Sequence, residues 1–207
     1  MEAGRLLAGK LRAYAARPGV IALGLPRGGI PVAFEVARHL QCPLHAFLVR
    51  KLGVPSREEL AMGAIAAGGV CFLNMPVIQS LRIPRETIEQ VILDERRELE
   101  RRERAYQQGP PPELRDRTVI LIDDGLATGA SMRAAARAAR EQGPARIVVA
   151  VPVAAPETAR SLREEADEVV CVQEPASLEG VGEWYEDFSQ TSDEEVRALL
   201  ARAAAGF

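Results

Sequence analysis

The chain has 207 residues, of which 47% are hydrophobic, and a formal net charge of −3. That length suits one α/β domain with a modest appendage, and the apolar content is enough for a real core, which excludes global disorder. The slightly acidic balance offers nothing to attract a nucleic acid or an anionic membrane surface.

Residues 1–17 open with "MEAGRLLAGKLR", an acidic second residue and a periodic apolar face; this predicts an amphipathic helix, not a signal peptide. "VIALGL" (20–25) is a short apolar strand that ends in "PRGGIP". "PVAFEVARHL" (31–40) has helical spacing, and a strand is predicted at 44–49. "VPSREELAMG" (54–63) is polar without a clear period and reads as a loop. "AIAAGGVCFLN" (64–74) reads as a hairpin around Gly68-Gly69.

A long helix is predicted over 83–108, with Pro84 and Glu86 at its start and an apolar stripe of Ile88, Val91, Ile92 and Leu99. Its remaining Arg and Glu residues alternate in sign, which describes a solvated face and not a nucleic-acid surface. "GPPPEL" (109–114) stops it. Strands at 118–122, 147–153 and 168–172 then alternate with helices at 128–142 and 156–164. Alternation with short links implies a parallel sheet flanked by helices. The stretch 174–190 breaks that rhythm and carries the single tryptophan, Trp184. A last helix begins at "SDEEV", where Ser192 and Glu195 have capping-box spacing.

Cys42, Cys71 and Cys171 are far apart and odd in number, and His39 and His45 are the only histidines. That inventory builds neither a disulfide framework nor a zinc site, and a Ser-His or Cys-His nucleophile is improbable. No apolar run is long enough to cross a bilayer, so a soluble, cytoplasmic protein is expected.

The chemistry concentrates in "VILIDDGLATGAS" (119–131). In a parallel sheet, ligands bind beyond the carboxyl ends of the strands, near the point where strand order reverses. Asp123 and Asp124 stand at such an end. The following helix start, with Ala127, Thr128, Gly129, Ala130 and Ser131, offers free N–H groups, little side-chain bulk and two hydroxyls: a phosphate-sized anion site. The two carboxylates repel one another and need partners, either sugar hydroxyls or a divalent cation with its waters. The local reading is a ligand that carries both a phosphate and a vicinal diol.

This run resembles the 5-phosphoribosyl-1-pyrophosphate (PRPP) binding motif of the type I phosphoribosyltransferases. The resemblance implies that Asp123 and Asp124 hold the ribose hydroxyls and that Ala127–Ser131 hold the 5′-phosphate. "GLPRGGIP" (24–31) resembles the family's pyrophosphate loop, with Arg27, Gly28 and Gly29 as its anion-binding residues. "VRKLGVPSREELAMGAIA" (49–66) resembles the flexible catalytic loop, with Lys51 catalytic and Arg50, Arg57 and Glu58 beside it. The implied fold is α/β, the type I phosphoribosyltransferase fold, a parallel sheet flanked by helices with a small hood subdomain. The chain would be one domain, 1–207: a core of about 18–173, a hood or tail of about 174–207, and an N-terminal helix over 1–17.

The implied reaction transfers ribose 5-phosphate from PRPP to an acceptor that the sequence does not name, in this family usually a ring nitrogen of a heterocycle, with release of pyrophosphate. Arg27, Lys51, Asp123 and Asp124 would be its catalytic residues. Mg²⁺ is the implied cofactor, held at Asp123 and Asp124 largely through substrate and water. Trp184, Tyr185 and Asp187 are candidate acceptor contacts, and Glu183, Glu186 and Asp187 candidate general bases. At the position of Ala127 several family members have an acid that handles the acceptor proton; adenine-type members share the alanine. Small molecules are the expected partners, with no nucleic acid and no membrane; a homodimer would agree with the family's habit. The alternative is a catalytically weak module of the same fold that senses PRPP or a nucleotide.

Overall fold

A computed structural model describes residues 2–55, 57–106 and 111–207. Five strands form one parallel sheet: β1 (Val20–Gly24), β2 (Leu44–Ala46), β6 (Thr118–Ile122), β7 (Arg146–Val153) and β8 (Glu168–Gln173), in the order β2-β1-β6-β7-β8. A parallel sheet is covered on both faces, so its strands read as unbroken apolar runs. β1 is buried at every residue, and so is β6 apart from Thr118. Alternate side chains feed two cores. Ala22, Ile120, Ile122 and Val148 pack with α1 (Glu2–Lys10), α2 (Gly29–Leu40) and α7 (Asp193–Ala204). Ile21, Leu23, Val119 and Leu121 pack with α5 (Ala130–Arg140) and α6 (Pro156–Leu162). The helices after β1 and β6 therefore leave toward opposite faces of adjacent strands, and this opens a crevice at their carboxyl ends.

Between β2 and β6 the chain builds a second, antiparallel sheet: β3 (Val49–Val54), β4 (Arg57–Ala66) and β5 (Cys71–Leu73). It is followed by α3 (Met75–Ser80) and α4 (Arg85–Tyr106). Two expectations change here. The strand expected at 44–49 is divided between the sheets: Phe47 N–H still bonds Gly24 C=O at 2.8 Å, but Leu48 C=O already accepts from Ala67 N–H at 3.0 Å. The segment expected as a polar loop is the β3–β4 hairpin. Its register shifts at Gly53 break the two-residue period that would have revealed it. Arg50 therefore lies on β3, and Arg57 and Glu58 on β4. Ser56, at the expected loop's centre, lies outside the described residues.

The β4–β5 hairpin was legible, as was α4, whose Ile88, Val91 and Ile92 pack on the core. Its expected last residues, Gln107 and Gln108, and the start of the stop signal at Gly109 and Pro110 are outside the described residues. The short α3 was not foreseen. At α7, Ser192 N–H donates to Glu195 Oε2 at 2.7 Å and Glu195 N–H to Ser192 Oγ at 3.2 Å, so the predicted capping box is formed. Among the described residues no helix is long and apolar enough to cross a membrane.

Candidate active site

The site begins where β1 and β6 end. Leu25 N–H bonds Ile122 C=O at 2.8 Å, and the chain then turns through a cis Pro26–Arg27 peptide into α2. Gly28 and Gly29 lie against the two acids. A Cβ on Gly28 would stand 1.8 Å from Asp124 Oδ2. One on Gly29 would stand 2.7 Å from Ile122 O and 2.9 Å from Asp123 Cα. The loop after β1 passes so close to the end of β6 that a side chain at Gly29 would meet main chain, and one at Gly28 the Asp124 carboxylate.

Asp124 N–H donates to Asp123 Oδ1 at 2.9 Å. Burial, and next the Asp124 charge, push the Asp123 carboxyl well above the usual range. Burial also raises Asp124, while the N–H of Gly125 and its own N–H pull it back. No lysine or arginine pairs with either acid among the described residues. The crevice thus holds two crowded carboxylates short of positive charge. That suits ligands that donate hydrogen bonds or bring a cation. Among the described residues no three His, Cys, Asp or Glu side chains gather as a metal cage. The pair does fit Mg²⁺, which commonly takes one or two carboxylates and completes its shell with substrate oxygens and water.

The loop after the acids is open and firmly braced. Ala127 and Thr128 are exposed, and so is Ser131. Gly129 has φ +70°, the left-handed conformation that lets α5 start there, and a Cβ on it would meet Thr158 Cγ2 at 2.5 Å. Thr158 Oγ1 donates to Ala127 C=O at 2.6 Å, and Arg133 Nη2 donates to Thr128 C=O at 2.7 Å. Arg133 is tied in turn to Ser161 Oγ at 2.6 Å. These donors take up the Ala127 and Thr128 carbonyls, and the first turn of α5 carries Ser131, which lines the same cavity as Asp123; the leading N–H groups of a helix have no partner within it and favour an anion. Thr158, Ser161 and Arg133 were not foreseen; they come from other turns of the fold and carry no sequence signal at the motif.

A cavity of about 640 Å³ runs from Leu25, Pro26, Asp123 and Ser131 to Arg50 and Lys51 on β3. Its far wall is α4, through Val91, Asp94, Glu95, Leu99 and Arg102. The α4 charge run, expected only as a solvated face, thus also lines the site. Lys51 lines this cavity and a second one of about 540 Å³ that reaches Thr128 and Ala130. Arg50 Nε bonds Glu95 Oε2 at 2.5 Å, so Arg50 ties β3 to α4. Arg27 is half-buried on the loop after β1. Arg57 pairs in register with Val54 at the distal end of the hairpin.

In the tail, Tyr185 Oη donates to Asp124 C=O at 2.6 Å, which brings this residue to the acids. Trp184 and Phe188 are 45% and 48% exposed, and neither is among the residues lining the 640 Å³ cavity. Asp187 accepts from Ser189 N–H at 2.9 Å at the surface, and Glu186 is exposed. Glu183 stands on the 3₁₀ turn Val181–Trp184, just before these aromatics.

A doubly wound parallel sheet with paired acids and an open helix start at its reversal point is an arrangement at which α/β proteins bind phosphate-bearing ligands. Comparison with known proteins narrows this. Residues 1–187 match the family described as "Phosphoribosyl transferase domain", and the chain belongs to that family. Two Mycobacterium tuberculosis proteins, from strains H37Rv and CDC 1551, are 44% identical over all 207 residues; both are named, provisionally, as phosphoribosyl transferases. The chain spans 46% of the length of each. The crystal structure of TT1426 from Thermus thermophilus is 41% identical and superposes with a TM-score of 0.89, over 97% of this chain and 95% of that one.

Proposed function

We propose that the protein transfers ribose 5-phosphate from PRPP to a nitrogen heterocycle and releases pyrophosphate. The observation that carries this reading is the single crevice in which Asp123 and Asp124 face Gly28 and Gly29 on one side and the open start of α5 on the other. Sugar diol, pyrophosphate and 5′-phosphate each find suitable chemistry there.

In this reading the N–H groups and hydroxyls around Thr128–Ser131 hold the 5′-phosphate, and Asp123 and Asp124 accept hydrogen bonds from the ribose hydroxyls. The carboxylates then lie on the side of the sugar where positive charge develops as the bond from C1 to pyrophosphate stretches. An oxocarbenium-like transition state is stabilised by such fixed negative charge. Arg27 and the loop of Gly28 and Gly29 receive the leaving pyrophosphate, and Lys51 reaches it from β3. Bound Mg²⁺ would neutralise pyrophosphate charge, with Asp123 and Asp124 as its protein anchors. The cavity under the β3–β4 hairpin limits the water that could compete with the acceptor. Trp184 and Asp187, with Glu183 and Glu186 as bases, remain the proposed acceptor side, and α4 supplies a second polar wall. Mg²⁺, a homodimer and a cytoplasmic setting belong to the same proposal.

Calorimetric titration of PRPP, with and without Mg²⁺, tests the binding. Pyrophosphate release across a panel of heterocycles tests the transfer. Mg²⁺-dependent binding followed by acceptor-dependent pyrophosphate is expected. Binding without release for any acceptor would favour a sensor of the same fold, and absence of binding would refute the PRPP reading.

A further inference from the structure

Tyr185 is expected from the sequence to touch the acceptor, but its hydroxyl is committed elsewhere. It donates to Asp124 C=O at 2.6 Å, from a half-buried ring that packs on Phe188 with centroids 5.1 Å apart. The same tail presses on the next residue: a Cβ on Gly125 would meet Val181 Cγ1 at 2.6 Å and Cγ2 at 2.8 Å. Both contacts converge on one peptide group, Asp124–Gly125. That peptide is one rigid plane that includes the Asp124 Cα, so holding its carbonyl from one side and Gly125 from the other fixes the carbon from which the Asp124 carboxylate departs. On the crevice side the carboxylate is confined as tightly, since a Cβ on Gly28 would stand 1.8 Å from its Oδ2.

We infer that Tyr185 is a positioning residue that aims the Asp124 carboxylate at the ribose through the Asp124–Gly125 peptide. The inference rests on the PRPP reading above. It assigns the tail a role at the ribose that is separate from acceptor contact. A residue that merely packs the tail would affect every ligand of the crevice alike. One that aims Asp124 affects ligands that reach the ribose and its metal, and spares a lone phosphate at the start of α5.

The probes are PRPP with Mg²⁺, and inorganic phosphate without it, which in the same reading occupies the Thr128–Ser131 loop and needs neither Asp124 nor the metal. PRPP is titrated calorimetrically, and phosphate is read by its shift of the unfolding temperature at millimolar concentration. Tyr185→Phe removes the hydroxyl and keeps the ring. It is expected to weaken PRPP about fivefold to tenfold, the share of one lost hydrogen bond, and to leave the phosphate shift unchanged. Val181→Ala, which loosens the same peptide from its other contact, is expected to weaken PRPP in the same selective way and covers the case of a poorly folded Tyr185→Phe. Equal weakening of both probes, or unchanged PRPP affinity in both variants, would overturn the inference alone. Failure of the unaltered protein to bind either probe would overturn the PRPP reading together with it.

Discussion

Replacing Gly28 or Gly29 by alanine adds the same methyl group to neighbouring residues, yet the structure demands opposite outcomes. At Gly28 the backbone is helical, with φ −58° and ψ −32°, so alanine is conformationally acceptable. The methyl collides only with the Asp124 side chain, at 1.8 Å from Oδ2 and 2.8 Å from Cγ. That carboxylate can rotate away at a rotamer cost of about 0.5–1.5 kcal/mol, offset by about 0.4–1 kcal/mol from a stiffer unfolded chain. Net stability therefore changes by less than about 1 kcal/mol, or by less than ~4 °C in Tm for a domain of this size. On the PRPP reading the displaced carboxylate no longer meets the ribose. Loss of a charged hydrogen bond, about 1.5–3 kcal/mol, weakens PRPP roughly tenfold to beyond a hundredfold. At Gly29 the methyl meets main chain, Ile122 O at 2.7 Å and Asp123 Cα at 2.9 Å, and nothing there can rotate. Overpacking of that kind costs about 1–3 kcal/mol, or roughly 2–12 °C. Thermal and urea unfolding of both variants, with PRPP calorimetry on each, separate the two cases. Equal losses of stability at the two positions, or a Gly28→Ala variant that binds PRPP normally, would refute the reasoning.

Asp123→Asn tests the crowded pair. A carboxyl raised in the folded state favours the fold when protonated, and that contribution is lost as pH rises through the folded-state value. Without ligand, Asp123→Asn should therefore melt above the unaltered protein at pH 7, and the gap should close as pH falls toward the ordinary aspartate range near 4. An unchanged or lower Tm at pH 7 would contradict the burial and repulsion described. Ser192→Ala removes the cap of α7 and should cost about 0.5–2 kcal/mol, seen as a Tm loss of roughly 1–8 °C with PRPP affinity unchanged. Trp184→Ala alters an exposed residue, so Tm should move by less than ~2 °C while the acceptor KM rises more than the PRPP KM. Equal rises in both constants would remove Trp184 from the acceptor side.

Much of the parallel half was legible because its signals are local. The apolar runs at 118–122 and 147–153, the small-residue helix after Gly129 and the capping box at Ser192 each state their structure within a few residues. The second sheet was not legible as such. Its long hairpin is polar on one side, and the bulge at Gly53 scrambles the alternation that marks a strand. At the site, Asp123, Asp124 and the glycines announced themselves by type and spacing. Thr158, Arg133 and the α4 wall did not, because each reaches the crevice only through long-range packing. Tyr185 was noticed for its aromatic ring, whereas the structure uses its hydroxyl.

The pairing of β1 with β6 joins Val20 to Thr118, residues separated by almost half of the 207-residue sequence. Every ligand-facing group at the reversal point waits on that one long-range closure. Chains dominated by distant pairings fold slowly, because loop entropy is lost before the contacts form. The segment from β6 through β8 is more local and can assemble first, with the acids of Asp123 and Asp124 still hydrated. Their confinement beside Gly28 and Gly29 then arrives with the last major folding step. During refolding, competence to bind a sugar phosphate should consequently lag behind the recovery of helical signal, with the crevice the last part of the molecule to mature.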